Sequence, residues 1–181
     1  RDDRVLELGA GLGIVGAVTA FHRAPARVLS FEANPALIPH IEELYRMNGL
    51  GHIISVRNQV LVSDPDSPDV LPFHVRRSYL GSSLSESGAP AKRTVPVPTK
   101  AFASVKAELD PTVLLMDIEG GELAFLEHAD LCGIRAIVIE FHPDVYECAG
   151  MRRCKSVLLA AGFAPDPELS TREGPSRSRG S

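Results

Sequence analysis

Two stretches of this chain concentrate the side chains that do chemistry. Residues 113–122 (VLLMDIEGGE) place Asp117, Glu119 and Glu122 around the Gly120-Gly121 pair, and residues 135–143 (RAIVIEFHP) end in Glu140 and His142. Carboxylates accept protons or hold cations, and an imidazole changes charge near neutral pH, so these are the raw materials of acid–base catalysis. Acids and glycines at the end of an apolar run make a poor core, because a buried carboxylate must be paired or neutralised. An acid near a helix N-terminus favours the helix dipole, which accounts for Glu119 or Glu122 but less readily for the whole cluster. His142 beside Glu140 reads as a base, a substrate ligand or a satisfied polar pair.

A third stretch acts through its backbone. Residues 5–16 (VLELGAGLGIVG) run from apolar residues through Glu7 to Gly9, Gly11, Gly13 and Gly16. That order describes a buried strand, a tight turn and the first turn of a helix. Glycines admit a ligand close to the main chain, and the helix N-terminus offers unpaired N–H groups. Gly11, Gly13 and Gly16 alone spell G-x-G-x-x-G, and Glu32 follows about 20 residues on, where a dinucleotide ribose would want an acid. Glu7, however, stands where a dehydrogenase strand is commonly apolar, and its carboxylate suits a cationic amino group. Gly9 extends the pattern to E-x-G-x-G-x-G, which resembles motif I of the class I S-adenosylmethionine (SAM) methyltransferases. SAM is the expected cofactor, with NAD as the alternative.

The elements that must position these groups follow from the apolar pattern. Residues 113–116 and 135–141 read as buried strands of a parallel sheet, and ligands of such sheets sit at the carboxyl ends of the strands. Residues 27–32 (RVLSFE) read as another strand, with Glu32 at its end able to accept hydrogen bonds from a ribose diol. Asn34, in the turn that follows, is grouped with the cofactor contacts. Residues 14–21 form a helix that Pro25 ends, and residues 35–48 form one with Leu37, Ile41, Leu44 and Met47 toward the core. A strand over residues 53–62 is broken near Asn58 and Gln59, and either Asn58 or Asp64 is expected near the adenine ring. Residues 65–98, rich in Pro, Ser and Gly, read as an inserted hairpin and loop in which Gly81-Ser82-Ser83-Leu84 is a mobile lid or a flexible loop. A helix over residues 150–161, a short edge strand over 162–169 and a disordered tail over 170–181 complete the chain. The domain is expected to span residues 1–169, with the segment that usually precedes the first strand missing.

The 181 residues suit one domain with a real core. A net charge of -4 argues against a general nucleic-acid face, and no apolar run approaches membrane-spanning length. The odd cysteine set Cys132, Cys148 and Cys154 fits a reducing, cytoplasmic setting better than a disulfide framework. Their spacing with His142 matches no common zinc pattern, so they are expected as core or half-buried thiols and no metal is assigned.

Taken together, the E-x-G-x-G-x-G turn, FEANP at 31–35, GSSL at 81–84, MDIEGGE at 116–122 and IVIEFHP at 137–143 resemble the FkbM-type SAM-dependent methyltransferases. The matched blocks run with gaps from residue 5 to about residue 163, and the D-x-E-G-x-E block is the most specific of them. FkbM-type turns often carry Asn where this chain has Gly11. The turn looks as much like that of the seven-strand protein-lysine methyltransferases, but their acidic-aromatic motif is replaced here by Gly120-Gly121. The resemblance implies an α/β, Rossmann-like class I methyltransferase fold with a mostly parallel central sheet and helices on both faces. It also implies O-methylation of a hydroxyl on a sugar, polyketide or similar small metabolite.

On that reading Asp117 and Glu119 position or deprotonate the acceptor, with Glu140 and His142 in support; a divalent cation held by the carboxylates is another route to the same end. Glu7, Gly9, Gly11, Gly13, Glu32, Asn34, Asn58 and Asp64 are expected at the cofactor. The expected partner is a small-molecule hydroxyl acceptor, with no nucleic acid and no membrane, and a homodimer is compatible. A protein-lysine methyltransferase, an NAD-dependent Rossmann oxidoreductase and a non-catalytic SAM-binding module are the alternatives.

Overall fold

Strand β1 (Arg4–Leu8) sends alternate side chains to opposite faces, as the two-residue period of a strand requires. Leu6 and Leu8 enter one apolar cluster and Val5 enters the other. The computed structural model describes residues 2–75 and 93–170. Within them β1 is the centre of a five-stranded sheet with β2 (Arg27–Phe31), β3 (Ile54–Arg57), β7 (Val113–Met116) and β8 (Ala136–Ile139), in the order β3-β2-β1-β7-β8. Every neighbouring pair in it is parallel.

Helices cover both faces. Phe102, Val105 and Leu109 of α3 (Phe102–Leu109), Phe125 and Leu126 of α4 (Glu122–Leu126) and Cys154 of α5 (Pro143–Ala160) pack on Leu6, Leu29 and Leu114. On the other face Ala20 of α1 (Ile14–Arg23) and Ile41 and Tyr45 of α2 (Ile38–Met47) pack on Val5, Val28 and Leu115. This is the Rossmann-like, doubly wound architecture that the sequence predicts. Among the described residues no helix is long and apolar enough to cross a membrane.

A smaller sheet of β4 (Val60–Val62), β6 (Arg93–Ala101) and β5 (Val70–Val75), in the order β4-β6-β5, rises from the end of β3. β5 and β6 are antiparallel, and Phe73, Val95 and Val97 form a small core between them and Val60. The strand expected over residues 53–62 is therefore two strands in two sheets. Asn58 Nδ2 donates to the carbonyls of Glu32 and Ala33 at 2.9 and 3.1 Å, and the Gln59 N–H turns back to the Arg57 carbonyl at 3.0 Å. These bonds take the backbone out of the β3 ladder. The expected lid or loop at Gly81–Leu84, and all but the first residue of the expected tail, lie outside the described residues.

Several expectations need correcting. Met47 is 72% exposed, and Tyr45 takes its place in the core. At about 100° per residue, Tyr45 returns to within about 40° of Ile41 whereas Met47 lies about 120° away. Strand β8 has a sequence as apolar as β7 but sits at a sheet edge, leaving Val138 64% exposed. Residues 162–169 form turns and irregular chain rather than an edge strand. The last helix begins at Pro143 and is broken at Tyr146 and Glu147, well before residue 150. Cys132 and Cys148 are exposed, and only Cys154 is a core thiol.

Candidate active site

The parallel register brings the strand ends level. Leu8 pairs with Phe31 and with Met116, Phe31 pairs with Arg57, and Met116 pairs with Ile139. The next residue along each strand is Gly9, Glu32, Asn58, Asp117 or Glu140, so these five form a row along the carboxyl edge. Backbone bonds continue the ladder into that row: Glu32 N–H to Arg57 O at 3.0 Å, Asp117 N–H to Leu8 O at 2.9 Å and Glu140 N–H to Met116 O at 3.0 Å. The strand order reverses between β1 and β7, and open α/β sheets bind ligands at such a point. A cleft of about 650 Å³ opens there, lined by Gly9, Gly11, Glu32, Asp117, Glu119 and Glu140 together with Leu71 and Phe73 of β5.

The glycine half of the cleft is dictated by space and by backbone angle. Gly9 has φ 82°, and a Cβ there would lie 1.7 Å from the Asp117 carbonyl oxygen, so the turn passes directly over the β7 end. Gly11 has φ 56°, but a Cβ there would meet nothing within 4 Å. Its left-handed conformation is one that Asn also tolerates.

Glu32 ties the turn to β2: Oε2 accepts from the Gly11 N–H at 2.8 Å and Oε1 from the Asn34 N–H at 2.7 Å. Burial raises its pKa above the ordinary carboxylate value, opposed by those donors. Asn34 is buried at the cleft and its Oδ1 accepts from the Ala36 N–H at 3.1 Å. Asp64 also lines the cleft, with Oδ1 accepting from the Asp66 N–H at 2.9 Å. Asn58 stands in the row but does not line the cleft, because its amide is spent on the carbonyls of Glu32 and Ala33. Of the two residues expected near an adenine ring, only Asp64 is at the cleft.

Glu7 is buried beneath α1. Its Oε2 accepts from Ser30 Oγ at 2.5 Å, its carboxylate also accepts from the Gly16 N–H, and a Cβ on Gly16 would lie 2.5 Å from Oε2. Burial pushes its pKa up to about 7 against those two donors.

The acidic half is built on a tight turn. Glu119 has φ 52° and Gly120 φ 101°, which folds the chain back so that Asp117 and Glu119 both face the cleft. A left-handed conformation in a residue other than Gly or Asn costs of order 1 kcal/mol, and such strain gathers at functional sites. His142 lies behind the two acids rather than in the cleft wall: Nε2 is 3.5 Å from Asp117 Oδ1 and 3.6 Å from Glu119 Oε2. Its backbone N–H donates to Tyr146 Oη at 2.7 Å, which accompanies the break in α5.

On its other side Nδ1 meets Glu122 Oε1 at 2.8 Å, and the same oxygen accepts from the Gly120 N–H at 3.2 Å. The Glu122 bond raises the His142 pKa to about 8 against the effect of burial, and the charges of Glu119 and Asp117 add to it. Burial raises Asp117 and Glu119 as well; the Glu140 charge adds to the rise at Asp117, and His142 opposes it at both.

Glu122 is the residue that sequence reasoning undervalued. A helix-dipole acid would face solvent, but this one is fully buried beside Phe125 and Leu126, and Oε2 has no hydrogen-bond partner among the described residues. The available signal was its place three and four residues before Phe125 and Leu126, on the core face of the helix.

Comparison with known proteins identifies the family and the fold. A family model described as the methyltransferase FkbM domain matches residues 7–163. A search of curated proteins gave no match. Among solved structures, the chain is similar to methyltransferase FkbM from Methylobacillus flagellatus KT, at 14% identity and a TM-score of 0.55 over 87% of this chain. The aligned part is 37% of that protein, so this chain spans well under half of its length. A precorrin-6y C5,15-methyltransferase from Geobacter metallireducens GS-15 is similar at 14% identity and a TM-score of 0.49, over 91% of this chain and 65% of that one. An Arabidopsis thaliana protein arginine methyltransferase 10 aligns at 30% identity over 38% of this chain and 19% of that one, with a TM-score of 0.30. The first likeness is one of fold.

Proposed function

The chain belongs to the FkbM methyltransferase family, and on that premise we propose that it methylates a hydroxyl oxygen, with SAM as donor and a sugar, polyketide or similar small metabolite as acceptor. The reading is carried by the row at the carboxyl edge, where the glycine turn and Glu32 share one cleft with Asp117, Glu119 and Glu140. The cleft volume lies within the range of small-molecule sites, about 300–1,000 Å³. The open space at Gly11 and the buried acid Glu32 fit a ligand with a ribose and an amino acid end.

SAM supplies a methyl group already activated on a sulfonium, so the protein's own work is binding, orientation and proton removal. The backbone from Gly9 to Leu12 and the carboxylates of Glu32 and Asp64 bind the donor, whereas Gly13 lies outside the cleft lining and packs against Ile41 and Tyr45. An alcohol is a weak nucleophile, and Asp117 or Glu119 accepts its proton while Glu140 helps orient it. His142, held by Glu122 from behind, is a positioning residue that keeps those two carboxylates in place. Leu71 and Phe73 add apolar side chains to the cleft lining.

Calorimetric titration with S-adenosylhomocysteine, and in parallel with NAD, tests the donor. Micromolar binding of the first alone supports the reading and leads to a screen of hydroxylated acceptors by mass spectrometry. Binding of NAD alone would reassign the glycine turn and Glu32 to hydride transfer.

A further inference from the structure

We infer that Asp117 Oδ1, Glu119 Oε2 and His142 Nε2 form a binding site for one divalent first-row transition metal ion at the acidic end of the cleft, with Glu122 as the buried support of its imidazole. The inference rests on the methyltransferase reading for what the ion does, but not for whether it binds.

One donor atom from each of Asp117, Glu119 and His142 lies within 4.8 Å of the others, and Nε2 stands 3.5 Å from Asp117 Oδ1 and 3.6 Å from Glu119 Oε2. Neighbouring donors bound at about 2.0–2.2 Å to a common ion stand roughly 2.8–3.6 Å apart in octahedral or tetrahedral arrangements, and the two imidazole–carboxylate spacings already match that range. The tautomer is set from behind. Glu122 Oε1 lies at 2.8 Å from Nδ1, and a carboxylate only accepts, so Nδ1 carries the hydrogen and Nε2 is directed at the two acids. A carboxylate–histidine pair oriented in this way is the usual outer support of a metal ligand.

Glu122 is the independent sign of a built site. It is fully buried, its Oε2 has no hydrogen-bond partner among the described residues, and its other oxygen meets the imidazole at 2.8 Å and accepts from the Gly120 N–H at 3.2 Å. Removing a carboxylate from water so incompletely is unfavourable unless the group it orients has work to do. The left-handed Glu119 belongs to the same turn, which brings its carboxylate back toward Nε2.

Asp117 is half-exposed and lines the cleft with Glu119, so an ion here would keep positions open on the cleft side. One imidazole and two carboxylates suit Mn²⁺ to Zn²⁺ better than Mg²⁺ or Ca²⁺. An ion held here would make an acceptor hydroxyl bound to it more acidic. With Asp117 and Glu119 holding the ion, the hydroxyl proton would pass to Glu140, the carboxylate left free in the acidic half of the cleft, instead of to either of them. The new C–O bond forms as the C–S bond breaks, releasing the donor as a neutral thioether.

The test is Mn²⁺ titration of the full 181-residue chain after chelator treatment, followed by electron paramagnetic resonance of the free ion. The expected result is one ion per chain. Asp117→Asn and His142→Gln should each weaken binding at least tenfold, and Glu122→Gln by about ten- to a hundredfold. If His142→Gln does not fold, Glu119→Gln takes its place, and a Co²⁺ visible spectrum reports imidazole ligation in the parent. No uptake at millimolar Mn²⁺, or uptake unchanged in the ligand variants, would overturn the inference. A parallel S-adenosylhomocysteine titration in chelator separates the two ideas. Thioether binding without Mn²⁺ uptake leaves the methyltransferase reading standing and sinks the metal site; Mn²⁺ uptake without thioether binding does the reverse.

Discussion

On the proposed reading Asp117 is the residue on which the chemistry turns, because it joins the strand row, the cleft and the His142–Glu122 pair. Whether it takes a proton or holds an ion, Asp117→Asn keeps the shape and loses the charge. Turnover should fall by about 10²–10⁴-fold while S-adenosylhomocysteine affinity stays within about threefold, as steady-state assay and calorimetry would show. Loss of both together would give Asp117 a cofactor or folding role instead.

Glu7 makes a separate prediction about stability. Its folded pKa is raised from 4.5 to about 7, so its contribution is fully present below 4.5 and is lost as pH rises through about 7. The size is roughly 3 kcal/mol at about 1.4 kcal/mol per pKa unit. Glu7→Gln should flatten the pH dependence of thermal unfolding across that window. A profile as steep as the parent's would show that Glu7 does not titrate there.

At the scale of elements, the turn after β1 separates steric from conformational demands. Gly9→Ala drives a Cβ into the Asp117 carbonyl at a positive φ and should cost more than about 2 kcal/mol in denaturant unfolding. Gly11→Asn has open space and a left-handed φ, so it should unfold within about 1 kcal/mol of the parent. Equal effects at the two positions would contradict the geometry of the turn. The Asn that often occupies this position in FkbM-type turns is therefore sterically compatible with this fold.

For the whole molecule, the two edges of the main sheet have different duties. The carboxyl edge carries the cleft, whereas at the amino edge Asp3 joins strands that are distant in sequence. Its Oδ1 accepts from Thr112 Oγ1 at 2.8 Å and from Arg135 Nε at 2.9 Å, and its backbone carbonyl accepts from the Ala26 N–H at 2.8 Å. The Arg135 and Thr112 bonds hold its pKa down at about 2. That stabilisation is present above the ordinary 3.8 and is lost as pH falls through about 2. Asp3→Asn should therefore cost about 1 kcal/mol near pH 7, reduced by the partial exposure of the pair, and lose that difference toward pH 2. Turnover should not change, because Asp3 lies at the edge opposite the cleft; a large drop in activity would contradict this division.

The fold class was legible because its signals are local. The apolar runs of β1, β2 and β7, the glycine turn and the helical period of α2 each express themselves within a dozen residues. The acids at the strand ends were legible for the same reason, since a carboxylate after an apolar run has few structural uses. Tertiary structure decided what depends on neighbours far along the chain. Val138 reads as a core residue and lies on an edge, because strand order is not written in a strand's own composition. Asn58 stands in the row, yet its amide is taken by two carbonyls about 25 residues earlier, which no spacing rule reveals. Glu122 looked like a helix-dipole acid until the fold buried it against His142, 20 residues away. Sequence determined which groups were available; parallel register and packing decided which of them face one another, because those contacts join segments that only the folded sheet brings together.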